Sequence, residues 1–280
     1  MSEIVTIGEK TIGMGLPTYV IAELGINHNG DFDTAVKLID QAAASGADAV
    51  KLQTYITEKR VKKDSPIFPI LKQCELNFEQ QKRLFDHARK INIDIFSTPF
   101  DKESVDFLAS VNCQAYKVAS FDLVNKTLLS EIALRSKPVI MSRGMADKKE
   151  IDEALFILNS KCVPVVLLHC VSVYPVSDMK SLNLSTINYL NKIYNCPVGY
   201  SDHTLGIEIS KYAVCAGACV IEKHFTLSRL SKGPDHGMST EPQELRNMVD
   251  SIREIEKIIG KPTLSPVPEE KDILQYRRPS

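Results

Sequence analysis

The sequence predicts a (β/α)8 TIM barrel with an N-terminal β-hairpin, and three observations predict it. Eight short apolar runs alternate strictly with eight amphipathic helical stretches. The runs start about 22 to 45 residues apart, room for one helix and its loops each time. No G-x-G-x-x-G follows the first run, which argues against a dinucleotide-binding sheet. A chain of 280 residues is the right length for one such barrel. Surface scaling gives about 12,000 Å² exposed when folded against about 45,000 Å² for the open chain, enough burial for a core without staples.

The elements follow in order. IVTIGEKTIG reads as a hairpin turning at Gly8-Glu9-Lys10, placed to plug the bottom of the barrel. Barrel strands are expected at 19–24, 48–53, 93–98, 115–120, 138–142, 164–170, 197–203 and 219–225. Helices are expected near 33–45, 77–91, 101–110, 126–136, 147–159, 184–194, 206–217 and 241–259. Asp31 or Asp33 caps the first helix and Gly46 follows its end. Two segments break the rhythm. Residues 54–76 form a long Lys-rich connection after the second barrel strand, where an insertion shapes the mouth of a barrel site. Residues 263–280 contain several prolines and no helical period, and read as an exit linker. The expected division is therefore a catalytic barrel over 1–262 and a linker over 263–280.

Lys plus Arg number 34 and Asp plus Glu 35, a net charge of −1. That balance argues against a general nucleic-acid binder or a membrane-surface protein. No run approaches the roughly 20 apolar residues of a membrane span, and MSEIVTIGEK has no signal-peptide pattern. The seven cysteines are odd in number and contain no CxxC, so reduced, mostly buried thiols in a cytoplasmic protein are expected. Cys215 and Cys219 are spaced to share one helix face.

The chemistry is expected at the C-terminal ends of the strands, where alternate residues point inward. Polar residues recur there: Glu23 on the first barrel strand, Lys51 and Gln53 on the second, and Thr98 on the third. Lys117 and Ser120 follow on the fourth, Ser142 on the fifth, Ser201 and His203 on the seventh, and Glu222 and His224 on the eighth. A single Ser or Thr at a strand end reads as a solvated side chain. Lys51, between Val50 and Leu52, does not, because a buried ammonium costs several kcal/mol unless an anion pairs with it. Lys51 and Lys117 together point to a di- or trianionic ligand, such as one carrying phosphate and carboxylate. A lone His reads as structural, but His203 and His224 at matching depth on adjacent strands point to a metal. With Asp202, Glu222 and water as available oxygens, a hard or borderline divalent ion such as Mn²⁺ suits the site. Glu23 is the expected base. His87 reads as surface, and His28 and His236 lie in rim loops where either role is open.

Eight segments carry a resemblance: IAELGINHNG (21–30), VKLQTY (50–55), STPF (97–100), YKVAS (116–120), LLHCVSVYP (167–175), GYSDHT (199–204), EKHFT (222–226) and GPDH (233–236). Each is weak alone, but all eight occur in order at the barrel rims, and together the chain resembles the sialic acid synthase family from about residue 4 to 278. The resemblance implies condensation of phosphoenolpyruvate with an open-chain N-acetylmannosamine-type sugar to a nine-carbon 2-keto-3-deoxy acid and phosphate. It implies a divalent cofactor, Mn²⁺ with Mg²⁺ or Co²⁺ as substitutes, on His203 and His224. It assigns phosphoenolpyruvate to Lys51, Thr98, Lys117, Ser120, Ser142 and Ser201, the sugar to Gln53, Tyr174 and Asp235, and acid–base work to Glu23. A homo-oligomer is also expected.

The sequence departs from the family pattern in three places. Ser142-Arg143-Gly144-Met145 stands where relatives have Ser-Thr-Gly-Met. Ser172 stands where an Asn contacts phosphoenolpyruvate. Typical members continue past Arg277-Arg278 into an antifreeze-like domain that lends an Arg to a partner's sugar site. If the barrel manages alone, Arg143 is the expected substitute cation, against the plainer reading that it points into solvent. Two other readings compete: a Schiff-base pyruvate aldolase using Lys51 or Lys117, and a non-catalytic barrel that needs a separate domain.

Overall fold

The computed structural model describes residues 3–278. Eight parallel strands close a barrel in the order of the chain: β3 (Tyr19–Gly25), β4 (Ala49–Thr54), β5 (Asp94–Pro99), β6 (Tyr116–Val118), β7 (Val139–Ser142), β8 (Val165–His169), β9 (Val198–Asp202) and β10 (Val220–His224), with β10 pairing back onto β3. All eight expected strands form, each within a residue or two of its expected limits. The shortest is β6, which stops at Val118, and the last residue expected in it, Ser120, instead opens a 3-10 turn over Ser120–Asp122.

The outer ring is α1 (Phe32–Ala44), α4 (Phe78–Lys90), α5 (Lys102–Ser110), α6 (Lys126–Ala133), α7 (Lys148–Asn159), α8 (Ser185–Ile193), α9 (Glu208–Cys215) and α10 (Pro242–Ile259). Local chemistry starts many of these helices: the side chains of Asp31, Asn77, Asp101, Asn125 and Asp147 each accept a backbone N–H of the first turn. The strands are buried on both faces, as parallel strands sandwiched between barrel interior and helices must be.

The hairpin β1 (Ile4–Ile7) and β2 (Lys10–Gly13) pairs antiparallel. Val5, Ile7 and Ile12 join the main core. Lys10 Nζ donates to the Asp48 carbonyl, 2.9 Å away, just before β4. The hairpin therefore lies at the N-terminal end of the strands, opposite the site.

The long connection after β4 folds α2 (Thr57–Arg60) and α3 (Phe68–Cys74), too short to leave a helical period in the sequence, and two other expectations need correction. The Tyr55 hydroxyl donates to the Leu71 carbonyl, 2.9 Å away, and ties this excursion to the rim. The tail is not without helical character, because Pro268–Tyr276 forms a 3-10 helix, exposed along almost its whole length. Cys215 and Cys219 do not share a helix face: α9 ends at Cys215, which is exposed, while Cys219 is buried just before β10. Gly217, at φ +98°, makes the turn between them. No helix among the described residues is long and apolar enough to cross a membrane.

Candidate functional site

Strand alternation decides which side chains meet. On β4, Lys51 and Gln53 face the barrel interior, while Thr54 faces outward and bonds Gln81 of α4. On β9 and β10, Ser201, Glu222 and His224 face inward, and Asp202 and Lys223 face outward. The inward set, with His203 just past β9, lines a cavity of about 480 Å³ at the C-terminal end of the barrel.

At the closed end, charges are interleaved. The Lys51 ammonium lies 2.9 Å from Glu222 and 3.2 Å from Glu23. Lys117 donates to Ser142 Oγ at 2.7 Å and to the Val118 carbonyl at 3.1 Å, and lies 3.8 Å from Glu222. Ser201 Oγ donates to Glu222 at 2.9 Å. Burial alone would push Glu222 up, but Lys117 and Lys51 outweigh it and hold the carboxyl well below its usual range. Burial raises Glu23, and Lys51 offsets that only in part. Burial likewise lowers Lys117 more than Glu222 restores it, whereas at Lys51 the two carboxylates overcome burial and raise it. One carboxyl is thus firmly ionised and its neighbour sits nearer neutrality, the separation that acid–base work needs.

The β3 register shifts between Glu23 and Gly25, and Gly25 takes φ +51°. A Cβ there would stand 3.3 Å from both Glu23 Oε1 and Asp235 Oδ2 and 3.5 Å from Gln53 Nε2. Glycine lets these three side chains converge over the bulge. Gln53 Nε2 faces Glu23 Oε1 at 3.4 Å, and Gln53 Oε1 accepts from Arg60 at 3.0 Å.

His203 and His224 meet with ring centroids 5.7 Å apart, and Tyr174 lies against His203 at 4.2 Å. His203 Nδ1 lies 2.8 Å from the Val171 carbonyl, so it carries the proton and Nε2 is left as a donor atom for a ligand. His224 Nδ1 is buried without a hydrogen-bond partner among the described residues. Burial pushes His203 down to about 4 and His224 well below its ordinary value. Two neutral imidazoles, with His224 Nδ1 unpartnered and His203 Nε2 facing only Ser201 Oγ at 3.4 Å, fit a borderline divalent metal that completes its shell with water or substrate oxygen. No group of three or more His, Cys, Asp or Glu side chains arranged around a metal position occurs among the described residues.

Of the other expected site residues, Thr98, Ser120 and Asp235 line the cavity. Ser172 does not, but its hydroxyl lies 2.8 Å from that of Ser120. Asp202 is a correction. It faces outward in a buried ion pair with Lys223 at 3.0 Å, so it offers no oxygen to a metal. Arg143 matches neither of its two readings: it is not among the cavity-lining residues, and it is part-buried, with Nε buried and without a hydrogen-bond partner among the described residues. His169 turns outward to the Leu182 carbonyl. His28 and His236 are buried outside the cavity: His28 Nδ1 accepts from Gly30 N, and His236 Nδ1 lies 2.7 Å from Thr226 Oγ1. His87 is only partly exposed, and pairs with Asp40 at 2.6 Å.

Arg60 is the charged cavity residue that the sequence did not single out. It sits in a basic stretch with Lys59, Lys62 and Lys63, and a four-residue helix gives no period to show which one turns inward. Cys170 and Phe100 also line the cavity without having been expected there.

Comparison with known proteins follows the same lines. Residues 38–263 match the model of the NeuB family. The chain is 43% identical over 260 residues to the N,N'-diacetyllegionaminic acid synthase of Campylobacter jejuni, covering 87% of this chain and 78% of that one. It is 40% identical over 272 residues to the Legionella pneumophila protein of the same name, covering 90% and 76%. The crystal structure of the N-acetylneuraminic acid synthetase of Leptospira borgpetersenii, in complex with citrate, superposes with a TM-score of 0.95 at 40% identity, covering 99% of this chain and 97% of that one.

Proposed function

From the premise that the chain belongs to the NeuB family, we propose that it is a synthase joining phosphoenolpyruvate to an N-acetylmannosamine-type sugar, yielding a nine-carbon 2-keto-3-deoxy acid and phosphate. The observation that carries this reading is the Lys51–Glu222–Lys117 cluster at the closed end of the cavity, with the paired imidazoles beside it. The synthase names of the relatives support it.

Lys51 and Lys117 neutralise the phosphate and carboxylate of phosphoenolpyruvate, and the hydroxyls of Thr98, Ser120 and Ser142 donate to its oxygens, joined by Ser201 once its proton turns from Glu222. Glu222 keeps the two ammonium groups charged and aimed before the substrate arrives. Gln53, Tyr174 and Asp235 hold the sugar, so that its aldehyde carbon meets C3 of phosphoenolpyruvate. C3 forms the new carbon–carbon bond as the aldehyde C=O π bond breaks and its electron pair moves to oxygen, and water adds to C2. Glu23, nearer neutrality than its neighbour, takes the proton from that water at its carboxylate. Glu23 returns that proton to the oxygen of the former aldehyde, the C2–oxygen bond to phosphate breaks, and the proton of the C2 hydroxyl leaves with the phosphate as the ketone forms. His203 and His224 would hold a divalent cation, Mn²⁺ by preference, which when bound supplies Lewis-acid polarisation of the aldehyde oxygen.

The lowered ammonium of Lys117 favours one second reading, a Schiff-base aldolase acting on pyruvate. Its bonds to Ser142 and the Val118 carbonyl suit an anchored cation better than a free nucleophile. The expected setting is the cytoplasm. Phosphate release from phosphoenolpyruvate, with acetamido sugars and Mn²⁺ and with or without chelator, tests the synthase. Chelator-sensitive release dependent on a sugar is expected. No release with any sugar, together with covalent trapping of pyruvate by borohydride, would overturn it in favour of the aldolase.

A further inference from the structure

The part-buried guanidinium of Arg60 lies at the mouth of the same cavity, held by a frame that leaves most of its donors unused. Its central carbon stands 3.6 Å from the centroid of the Phe100 ring and 4.7 Å from that of Tyr55. One nitrogen donates to Gln53 Oε1 at 3.0 Å. Arg offers five N–H donors, and no carboxylate lies within 4.0 Å of it among the described residues. Burial works against its charge, while Asp122, Asp235 and Glu23 support it from farther away. A guanidinium fixed over an aromatic face, fastened at one edge and open to a cavity at the other, is a preorganised donor for a planar oxygen acceptor.

Its surroundings decide which acceptor. Asp235 and Glu23 converge at Gly25, within reach of Gln53, so a phosphate dianion at Arg60 would meet carboxylates close by. Apolar side chains line the same cavity: Ile26, Ile67, Leu71, Phe100 and Phe121. Ile67 and Leu71 come from the same insertion as Arg60. An uncharged carbonyl oxygen flanked by a methyl group matches both halves of this surface, and a phosphorylated tail matches neither. We infer that Arg60 binds the acetamido carbonyl of the acceptor sugar, and that the α2–α3 insertion selects a neutral acetamido sugar over its phosphorylated counterpart.

This rests on the synthase reading, and the experiment separates the two. Wild-type protein, R60A, R60Q and R60K are assayed for phosphate release with N-acetylmannosamine, a 2,4-diacetamido-2,4,6-trideoxyhexose and N-acetylmannosamine 6-phosphate. Direct binding of the same sugars is measured by saturation-transfer NMR, and thermal melts check folding. The expected result is at least a tenfold rise in acceptor KM in R60A and R60Q, with phosphoenolpyruvate KM changed less than twofold. R60K is expected to recover only part of the loss, because an ammonium cannot stack and fork as a guanidinium does. Unchanged acceptor KM, an equal rise in both KM values, or wild-type preference for the 6-phosphate would each overturn the assignment. If wild type released no phosphate with any sugar, the synthase reading would fail. The NMR arm would still decide Arg60: neutral-sugar binding lost in R60A supports it, and binding that is absent in wild type or unchanged in R60A overturns it.

Discussion

The carboxylate of Glu222 lies 2.9 Å from the Lys51 ammonium, with both side chains almost wholly removed from solvent. Removing one partner of a buried pair leaves the other uncompensated and costs roughly 3–5 kcal/mol. Lys51 would keep Glu23 at 3.2 Å, so E222Q is expected at the lower end, about 3 kcal/mol. Urea unfolding of wild type and variant measures it. A loss under about 1 kcal/mol would show that Glu222 is not the anion holding the cluster together.

Lys117 has fewer alternatives. Its partners are a hydroxyl, a carbonyl and the more distant Glu222. In the synthase reading it faces substrate charge, and losing one such preorganised donor costs about 10²–10³ in rate. K117M should therefore lower turnover about 100-fold while the protein stays folded. An aldolase that used Lys117 as nucleophile would instead lose borohydride trapping altogether, so the two assays together distinguish an anchoring cation from a reacting amine.

Most of the barrel was legible in the sequence, because each strand and helix carries its own local signal. The strand-end residues Glu23, Lys51, Gln53, Lys117, Ser201 and His224 were legible for the same reason: period-two alternation fixes which side chains face inward. Asp202 misled because it adjoins His203, and only the alternation at the end of β9 turns it toward Lys223. Arg60 and Arg143 were harder. Both lie on loops or short turns, where no periodicity connects position to direction, and the cation that reaches the cavity comes from the irregular insertion.

His28 gives an acid-stability prediction. Burial lowers it to about 4 from an ordinary 6.5, so the unfolded chain binds its proton first as pH falls. Its contribution is fully present above pH 6.5 and is lost between there and about 4. Within that window, wild type should lose up to about 1.4 kcal/mol per pH unit relative to H28Q. Gln offers an oxygen to the Gly30 N–H that now bonds Nδ1 without titrating. Parallel stability–pH curves for the two proteins would show that His28 carries none of the acid sensitivity.

The imidazole pair makes a binding prediction that does not depend on turnover. His224 Nδ1 has no hydrogen-bond partner among the described residues, and His203 Nε2 has only Ser201 Oγ at 3.4 Å. Wild type should bind Mn²⁺, read from the free-ion electron paramagnetic resonance signal, and H224A should bind it at least about tenfold more weakly. Equal binding by both would place the metal elsewhere or nowhere.

Behind the imidazoles, the Lys223–Asp202 pair spans β9 and β10 at 3.0 Å with neither side chain exposed. Each partner immediately adjoins one of the histidines in sequence. The two ends are unequal. Asp202 also accepts from Thr204 N, Thr204 Oγ1 and Ser210 Oγ, whereas Lys223 has otherwise only the Thr204 carbonyl at 2.6 Å. In K223M the carboxylate keeps three donors, so the loss should stay near about 3 kcal/mol. In D202A the ammonium is nearly orphaned and Thr204 and Ser210 lose their acceptor, so the loss should be larger, about 5 kcal/mol. Chemical denaturation of the two variants gives the order directly. The reverse order would mean that the Thr204 carbonyl, rather than Asp202, is what makes the buried Lys223 tolerable.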